Sequence, residues 1–159
     1  MQQPTDNTGK YLIFNLADES YGISIQNVKE IIGMMSITTI PKTGEWIKGV
    51  INLRGKIIPI FDLRIKFSME PLSYSNRTCI IIVETGSGKG AAQTGIVVDG
   101  VSEVCHIKDE SIAPPPSFGT RINTDTILGM AKMENGVRIL LNIDQVLGDR
   151  EVLDLGNAA

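Results

Sequence analysis

The 159-residue chain reads as an all-β protein built as two small barrels, and three observations predict it. β-Branched residues dominate the apolar set, with 23 Ile and 10 Val against 11 Leu, and such side chains suit a pleated, half-buried surface. Sixteen Gly and seven Pro supply the turns. About ten short apolar runs recur at a spacing of roughly 8–12 residues, the rhythm of barrels rather than of helix–strand alternation.

Taken in order, residues 11–16 alternate, which places Leu12, Phe14 and Leu16 on one face. After a turn at 17–20, Tyr21, Ile23 and Ile25 do the same. The period then changes. Ile25, Val28 and Ile31, with Ile32 beside them, recur every three to four residues before Gly33, which predicts a helix of about two turns. Residues 37–40 form a short strand and 41–46 a loop. Residues 49–53 and 57–63 make a hairpin around Arg54-Gly55-Lys56, where Gly55 supplies the positive φ and Arg54 and Lys56 stand at or beside the tip. Pro59 requires an edge position or a bulge. A polar stretch, about 68–78, divides the chain near its middle. Strands resume at 79–84, 94–98 and 101–107, with turns at 86–90 and at Asp99-Gly100. Residues 112–118 are too proline-rich for a central strand. A second hairpin, 127–133 with 137–143, turns at Glu134-Asn135-Gly136, and 144–147 is one helical turn. Two halves of roughly five strands, each ending in a Gly-turned hairpin, supply the two barrels. Residues 1–10 are a flexible lead, 11–147 a single domain with two sub-barrels, and 148–159 a frayed tail.

Composition and motifs exclude much. At 17.3 kDa the chain is large enough for a real core, with roughly 69% of its unfolded surface buried. A net charge of −3 with few aromatics leaves no electrostatic footprint for nucleic acid. The longest apolar runs, such as 79–83, cannot span a bilayer, so no direct membrane insertion is expected. The polar N-terminus is no secretory signal. Cys79 and Cys105 sit in apolar runs and read as buried, reduced thiols that suit the cytoplasm. Two Cys and one His do not make a zinc set, so no metal and no cofactor are expected. Gly86-Ser87-Gly88-Lys89-Gly90 lacks the Gly and the Ser or Thr of a Walker loop and reads as a hairpin loop. Lys42-Thr43-Gly44 has no Ser-x-x-Lys to accompany it. A two-barrel protease, the remote enzymatic alternative, would need His106 as its base, and no nucleophile context accompanies it. No catalytic set is expected.

What is left points to binding. Val28, Ile31 and Ile32 cannot all point inward from a two-turn helix; spacing alone favours core packing for any one of them, and part of the stripe is left over for a partner. Arg54 is a fixed cation at a hairpin tip. Trp46 and Phe118 lie in loops, where large aromatics serve as interface anchors.

The motifs then carry a resemblance. Phe14-x-Leu16 with Tyr21-Gly22-Ile23 and Val28-x-Glu30-Ile31 resembles the opening of the CheW family of chemotaxis coupling proteins. Residues 47–55 (IKGVINLRG) and 57–64 (IIPIFDLR) look like that family's central signature, and Gly95-Ile96-Val97-Val98-Asp99-Gly100-Val101 with Asn142-Ile143-Asp144 completes the match. The resemblance implies two five-stranded SH3-like barrels packed on a shared hydrophobic core, with short helices. It also implies a non-catalytic adaptor that couples the cytoplasmic tip of methyl-accepting chemoreceptors to the regulatory domain of the histidine kinase CheA, in the cytoplasm at membrane-associated arrays. A CheW-like domain of a longer CheV-type or CheA-type protein is the alternative. Chemoreceptor tips are helical hairpins, so the receptor face should be an apolar groove. Ile25, Val28 and Ile31 bordered by Glu30 are expected on one wall, with Arg54 and Ile57 on the other. The positions matching Glu30 and Arg54 are associated with receptor coupling in the family. The kinase face is expected among Ile40, Pro41, Trp46 and Phe118.

Overall fold

The computed structural model describes residues 9–41, 47–67, 69–70, 73–86, 92–115, 126–134 and 136–147. They form eleven strands and two short helices: β1 (Lys10–Leu16), β2 (Glu19–Ser24), β3 (Val28–Gly33), β4 (Ile47–Leu53), β5 (Lys56–Asp62), α1 (Leu63–Lys66), β6 (Cys79–Thr85), β7 (Ala92–Val98), β8 (Gly100–His106), β9 (Ile112–Ala113), β10 (Ile127–Met133), β11 (Gly136–Leu141) and α2 (Ile143–Leu147). One sheet has the order β8-β1-β2-β11-β10-β9 and the other β3-β6-β7-β5-β4. In each, the chain leaving one edge strand returns to the opposite edge. β9 follows β8 and pairs with β10, and Thr38 follows β3 and pairs with Val50 of β4. Both sheets thereby curl into barrels, which removes the open edges of a flat sheet.

Three apolar clusters fill this frame. Ile13, Ile107, Ala131 and Leu140 lie inside the first barrel, and Ile51, Ile58, Ile60, Ile80, Ile82 and Val97 inside the second. The largest cluster lies between them and draws on both sheets: Leu12, Phe14, Leu16 and Ile23 from the first, Phe61, Ile81, Val83 and Ile96 from the second. Alternation explains the division. Along β6, Ile80 and Ile82 point into the barrel while Ile81 and Val83 point to the shared core, so one strand serves two cores and reads as a continuous apolar run.

The chain passes through the same succession of elements twice, over 10–66 and 79–147: hairpin, crossover strand, short pairing segment, hairpin, helical turn. The registers coincide. Ile13 faces Gly22, which faces Leu140 in parallel; Ile82 faces Gly95, which faces Ile60 in parallel. The halves are not the barrels, however. β1 and β2 join β8 to β11, while β6 and β7 join β3 to β5, so each barrel takes its first hairpin from the other half. The polar stretch near 68–78 therefore separates two repeats and connects two strands of one sheet.

Other expectations need correction. Residues 25–32 are not a helix but a 3-10 turn (Ile25–Asn27) followed by β3. Val28 stands opposite Val83 and Ile31 opposite Ile81, with a register shift between Val28 and Glu30. Val83 and Ile81 both face the shared core. The bulge thus returns Val28 and Ile31 to one face three residues apart, the spacing of a helix produced by an extra strand residue. Lys10 already belongs to β1, and the Gly9 carbonyl accepts from Ile107, so order begins before residue 11. The strand expected at 37–40 is a single bridge at Thr38. Leu63 opens α1 instead of ending β5, because the Asp62 side chain caps the helix by accepting from the Arg64 N–H at 2.9 Å. Cys79 and Cys105 are free but half-buried rather than buried, and burial pushes the Cys79 thiol up. Pro59 lies in an interior strand, yet β7 pairs with β5 only from Ile60 onward, so no ladder partner needs the missing N–H. Glycine is required at Gly49, where φ is +143° and a Cβ would fall 2.0 Å from the Thr38 carbonyl oxygen. Of the expected lead (1–10), residues 1–8 lie outside the described residues, as does the tail (148–159).

Candidate functional site

The β4–β5 hairpin turns through Arg54 (φ 52°) and Gly55 (φ 90°), flanked by the pair Leu53 and Lys56. Two central residues with positive φ are the signature of a type I′ turn. Asn52 supports it by accepting the Gly55 N–H at 2.8 Å. Glycine enters this conformation freely, whereas arginine is disfavoured in it by roughly 1 kcal/mol. A strained non-glycine residue at a tip is a pointer to function rather than to stability.

From this tip the Arg54 guanidinium reaches the Glu30 carboxylate on β3 and pairs with it. The Arg54 side chain is nevertheless 67% exposed, so its charge remains offered to solvent. Such an exposed pair stabilises the fold by at most about 1 kcal/mol. Its physical effect is to hold a cation and an anion in fixed places. Apolar side chains stand near it in the chain. Ile31, next to Glu30, is 45% exposed, and Ile57, three residues past Arg54, is 66% exposed. A second ion pair, Lys29 with Glu84 at 3.2 Å, continues the charged border.

The structure sorts the six residues expected at a receptor face into two groups. Glu30 and Arg54 are brought into contact, and Ile31 and Ile57 are exposed. Ile25 and Val28 instead pack against the shared core. The one-wall stripe predicted from helical spacing is therefore divided by burial: its first two members pack on the barrel junction, and its third, on the same face of β3 as Val28, is left exposed. Of the four residues expected at a kinase face, Ile40 is half-buried and Pro41 exposed. Trp46 and Phe118 lie outside the described residues.

The repeat supplies a quasi-equivalent of this tip that sequence reading missed. On β8, Glu103 occupies the place of Glu30, opposite Ile13 as Glu30 is opposite Ile82. Its neighbour Val104 and the β11 residue Val137 are exposed, as Ile31 and Ile57 are. Glu103 pairs with Arg138 at 3.0 Å. Ser20, Met133, Glu134, Gly136, Val137 and Arg138 line a cleft of about 450 Å³ there. The usable signal was the aligned hairpins, but the chain offers no motif at Glu103 comparable to NLRG. Among the described residues no group of three His, Cys, Asp or Glu could hold a metal ion, and no helix is long and apolar enough to cross a membrane.

A family model described as the CheW-like domain matches residues 10–151. A protein named chemotaxis protein CheW from Klebsiella aerogenes is 40% identical over 150 residues, covering 94% of this chain and 88% of that protein. One of the same name from Treponema pallidum is 28% identical over 158 residues, covering 96% and 89%. The crystal structure of the scaffolding protein TtCheW from Thermoanaerobacter tengcongensis superimposes with a TM-score of 0.79 at 39% identity, over 90% of this chain and 94% of that one.

Proposed function

This chain belongs to the CheW-like family of chemotaxis scaffold proteins, and from that premise we propose that it couples chemoreceptor tips to the histidine kinase CheA through two separate faces. The receptor face is the β4–β5 tip with its β3 neighbour: Arg54, Glu30, Ile31 and Ile57. The observation that carries this reading is Arg54 itself, held in a conformation unfavourable to arginine and paired with Glu30 while most of its side chain stays in water. A helical hairpin presenting apolar residues beside an acidic or polar flank matches exposed Ile31 and Ile57 next to a fixed cation. The kinase face is proposed around Ile40 and Pro41, with Trp46 and Phe118 as its aromatic members. The mechanism is geometric: the body between the faces relays receptor state, provided the receptor contacts differ between its states. No covalent chemistry is involved, and the working place is the cytoplasmic side of receptor arrays.

An interface of this size gives an affinity near micromolar, about −8 kcal/mol, with arrays adding avidity. Titration of a receptor-tip fragment into the parent and Arg54→Glu tests the reading. The reversal of charge removes one contact and adds repulsion, so a loss of at least about tenfold is expected. Unchanged affinity in the folded variant would remove this tip from the receptor face.

A further inference from the structure

We infer that Arg64 is a positioning residue that fixes the orientation of one barrel against the other. Its surroundings are unusual for an arginine. On α1, directly after β5 of the second barrel, its side chain is only 8% exposed. Its guanidinium forks onto Asp99, with Nε 3.0 Å from Oδ1 and Nη2 2.8 Å from Oδ2. Asp99 stands between β7, in the second barrel, and β8, in the first. The same carboxylate accepts the Ala17 N–H at 2.7 Å, and the Asp99 N–H donates to the Asn15 carbonyl at 3.0 Å. Asn15 and Ala17 belong to the end and turn of the β1–β2 hairpin of the first barrel. Ala17 has φ 55°, a left-handed conformation that the Asp99 contact helps to hold. A cation of one barrel is thus tied through one carboxylate to a strained turn of the other.

The repeat makes the same connection in the opposite direction. α2 follows β11 of the first barrel as α1 follows β5 of the second, and Asp144 occupies the place of Arg64. Its Oδ1 accepts the Gly86 N–H at 3.0 Å, and Gly86 (φ 78°) occupies the turn after β6 that corresponds to Ala17 after β1. Each terminal helix therefore clasps the first hairpin turn of the opposite barrel. The two clasps differ in strength. The Asp144 clasp is one exposed hydrogen bond to a carboxylate; the Arg64 clasp is part-buried and bidentate, with a full charge on both partners. Asp99, Asp62 and Asp18 all favour the charged guanidinium. Between the barrels lies an apolar core whose attraction has no preferred direction, whereas a guanidinium–carboxylate fork has one. The core holds the barrels together, and the fork sets their angle.

If the chain bridges two partners, as proposed above, that angle also fixes one partner face relative to the other; this consequence rests on the two-face reading, while the orientation claim does not. The test places spin labels at Lys56→Cys and Lys132→Cys, one exposed position on each barrel, in a Cys79→Ser, Cys105→Ser background, and measures the distance distribution by double electron–electron resonance. The parent should give a single narrow distribution. Arg64→Met keeps the buried stem and loses the fork, and should shift the mean by on the order of 2 Å or broaden the distribution. Arg64→Lys, with the charge but no fork, should not restore it. Asp99→Asn retains an oxygen for Ala17 and should move the distribution less, in the same sense, and Asp144→Asn least. A parent-like distribution in folded Arg64→Met, judged by near-ultraviolet circular dichroism, overturns the inference; if that variant does not fold, a parent-like distribution in Asp99→Asn overturns it. If distances move while simultaneous binding of receptor and kinase fragments is untouched, the two-face reading fails and the orientation claim stands.

Discussion

The β4–β5 hairpin of the second barrel and the β10–β11 hairpin of the first hold the same place in the repeat. Each lies near a strand carrying a glutamate followed by an exposed β-branched residue, and each supplies an arginine that pairs with that glutamate. They spend the arginine differently. Arg54 sits at the tip itself, in positive φ, with 67% of its side chain exposed. Arg138 sits two residues inside β11, is 21% exposed, and is also 3.4 Å from the Cys105 sulfur. One hairpin presents its charge and accepts local strain to do so; the other folds its charge onto the barrel wall. The same scaffold therefore presents an exposed cation at one end and a half-buried pair at the other, and the difference lies in where along the hairpin the cation is placed.

The largest effects should fall on the backbone that closes each barrel. Gly49 and Gly129 are equivalent, opposite Ile60 and Leu140. At Gly49 an added Cβ meets the Thr38 carbonyl oxygen at 2.0 Å with φ at +143°; at Gly129 it meets the Ile112 Cγ2 methyl at 2.4 Å and the Ala113 oxygen at 2.9 Å. The backbone overlap is much deeper at Gly49, and only there is φ also in the range that side chains rarely adopt. Gly49→Ala should cost about 4 kcal/mol or prevent folding, and Gly129→Ala about 2 kcal/mol. Chemical denaturation of both variants checks the order, and equal costs would show that the barrels close equivalently.

A smaller pair of effects separates the two arginines. Arg138→Met should destabilise by about 1 kcal/mol, through loss of a half-buried charged pair. Arg54→Asn should instead stabilise by about 0.5 kcal/mol, since asparagine suits the I′ position, while receptor binding falls. Melting curves of the two variants give the signs directly. Destabilisation by Arg54→Asn would mean that the tip arginine is structural after all.

The smallest effect is a titration. Tyr74 donates to Asp62 at 3.2 Å, and burial, with the Asp62 charge, pushes its phenol up to about 12. Burial also raises Tyr11 and Tyr21 above the usual value. For an acid whose pKa rises on folding, stability is present below the unfolded value near 10 and is lost as pH climbs through the folded one. The folded protein should thus show little phenolate absorbance at pH 10 and lose stability between about 10 and 12, with Tyr74→Phe removing part of that loss. Ordinary titration of all three tyrosines near 10 would contradict it.

Much of this was legible in the chain. The alternation in residues 11–16 and the NLRG tip are legible because each depends on local chemistry. The helix expected at 25–32 failed because a bulge at Lys29 imitates helical spacing, and periodicity alone cannot tell the two apart. The exchange of first hairpins between halves was invisible, since it is set by which cores the two faces of β6 and β1 join. The Arg64–Asp99 fork joins residues 35 positions apart, and nothing in either local pattern announces the other. Glu30 and Arg54 are expected on opposite walls of one groove, and the β3–hairpin geometry instead brings them into direct contact.

If the proposed receptor face is right, reversing the charge of Arg54 should separate the two partners. Isothermal titration of one receptor-tip fragment and one CheA regulatory-domain fragment into three folded proteins, the parent, Arg54→Glu and Arg138→Glu, tests it most directly. Loss of receptor affinity by at least about tenfold is expected for Arg54→Glu alone, with kinase affinity kept in all three. Equal loss for both partners in Arg54→Glu, or equal loss of receptor affinity at the two arginines, would contradict it.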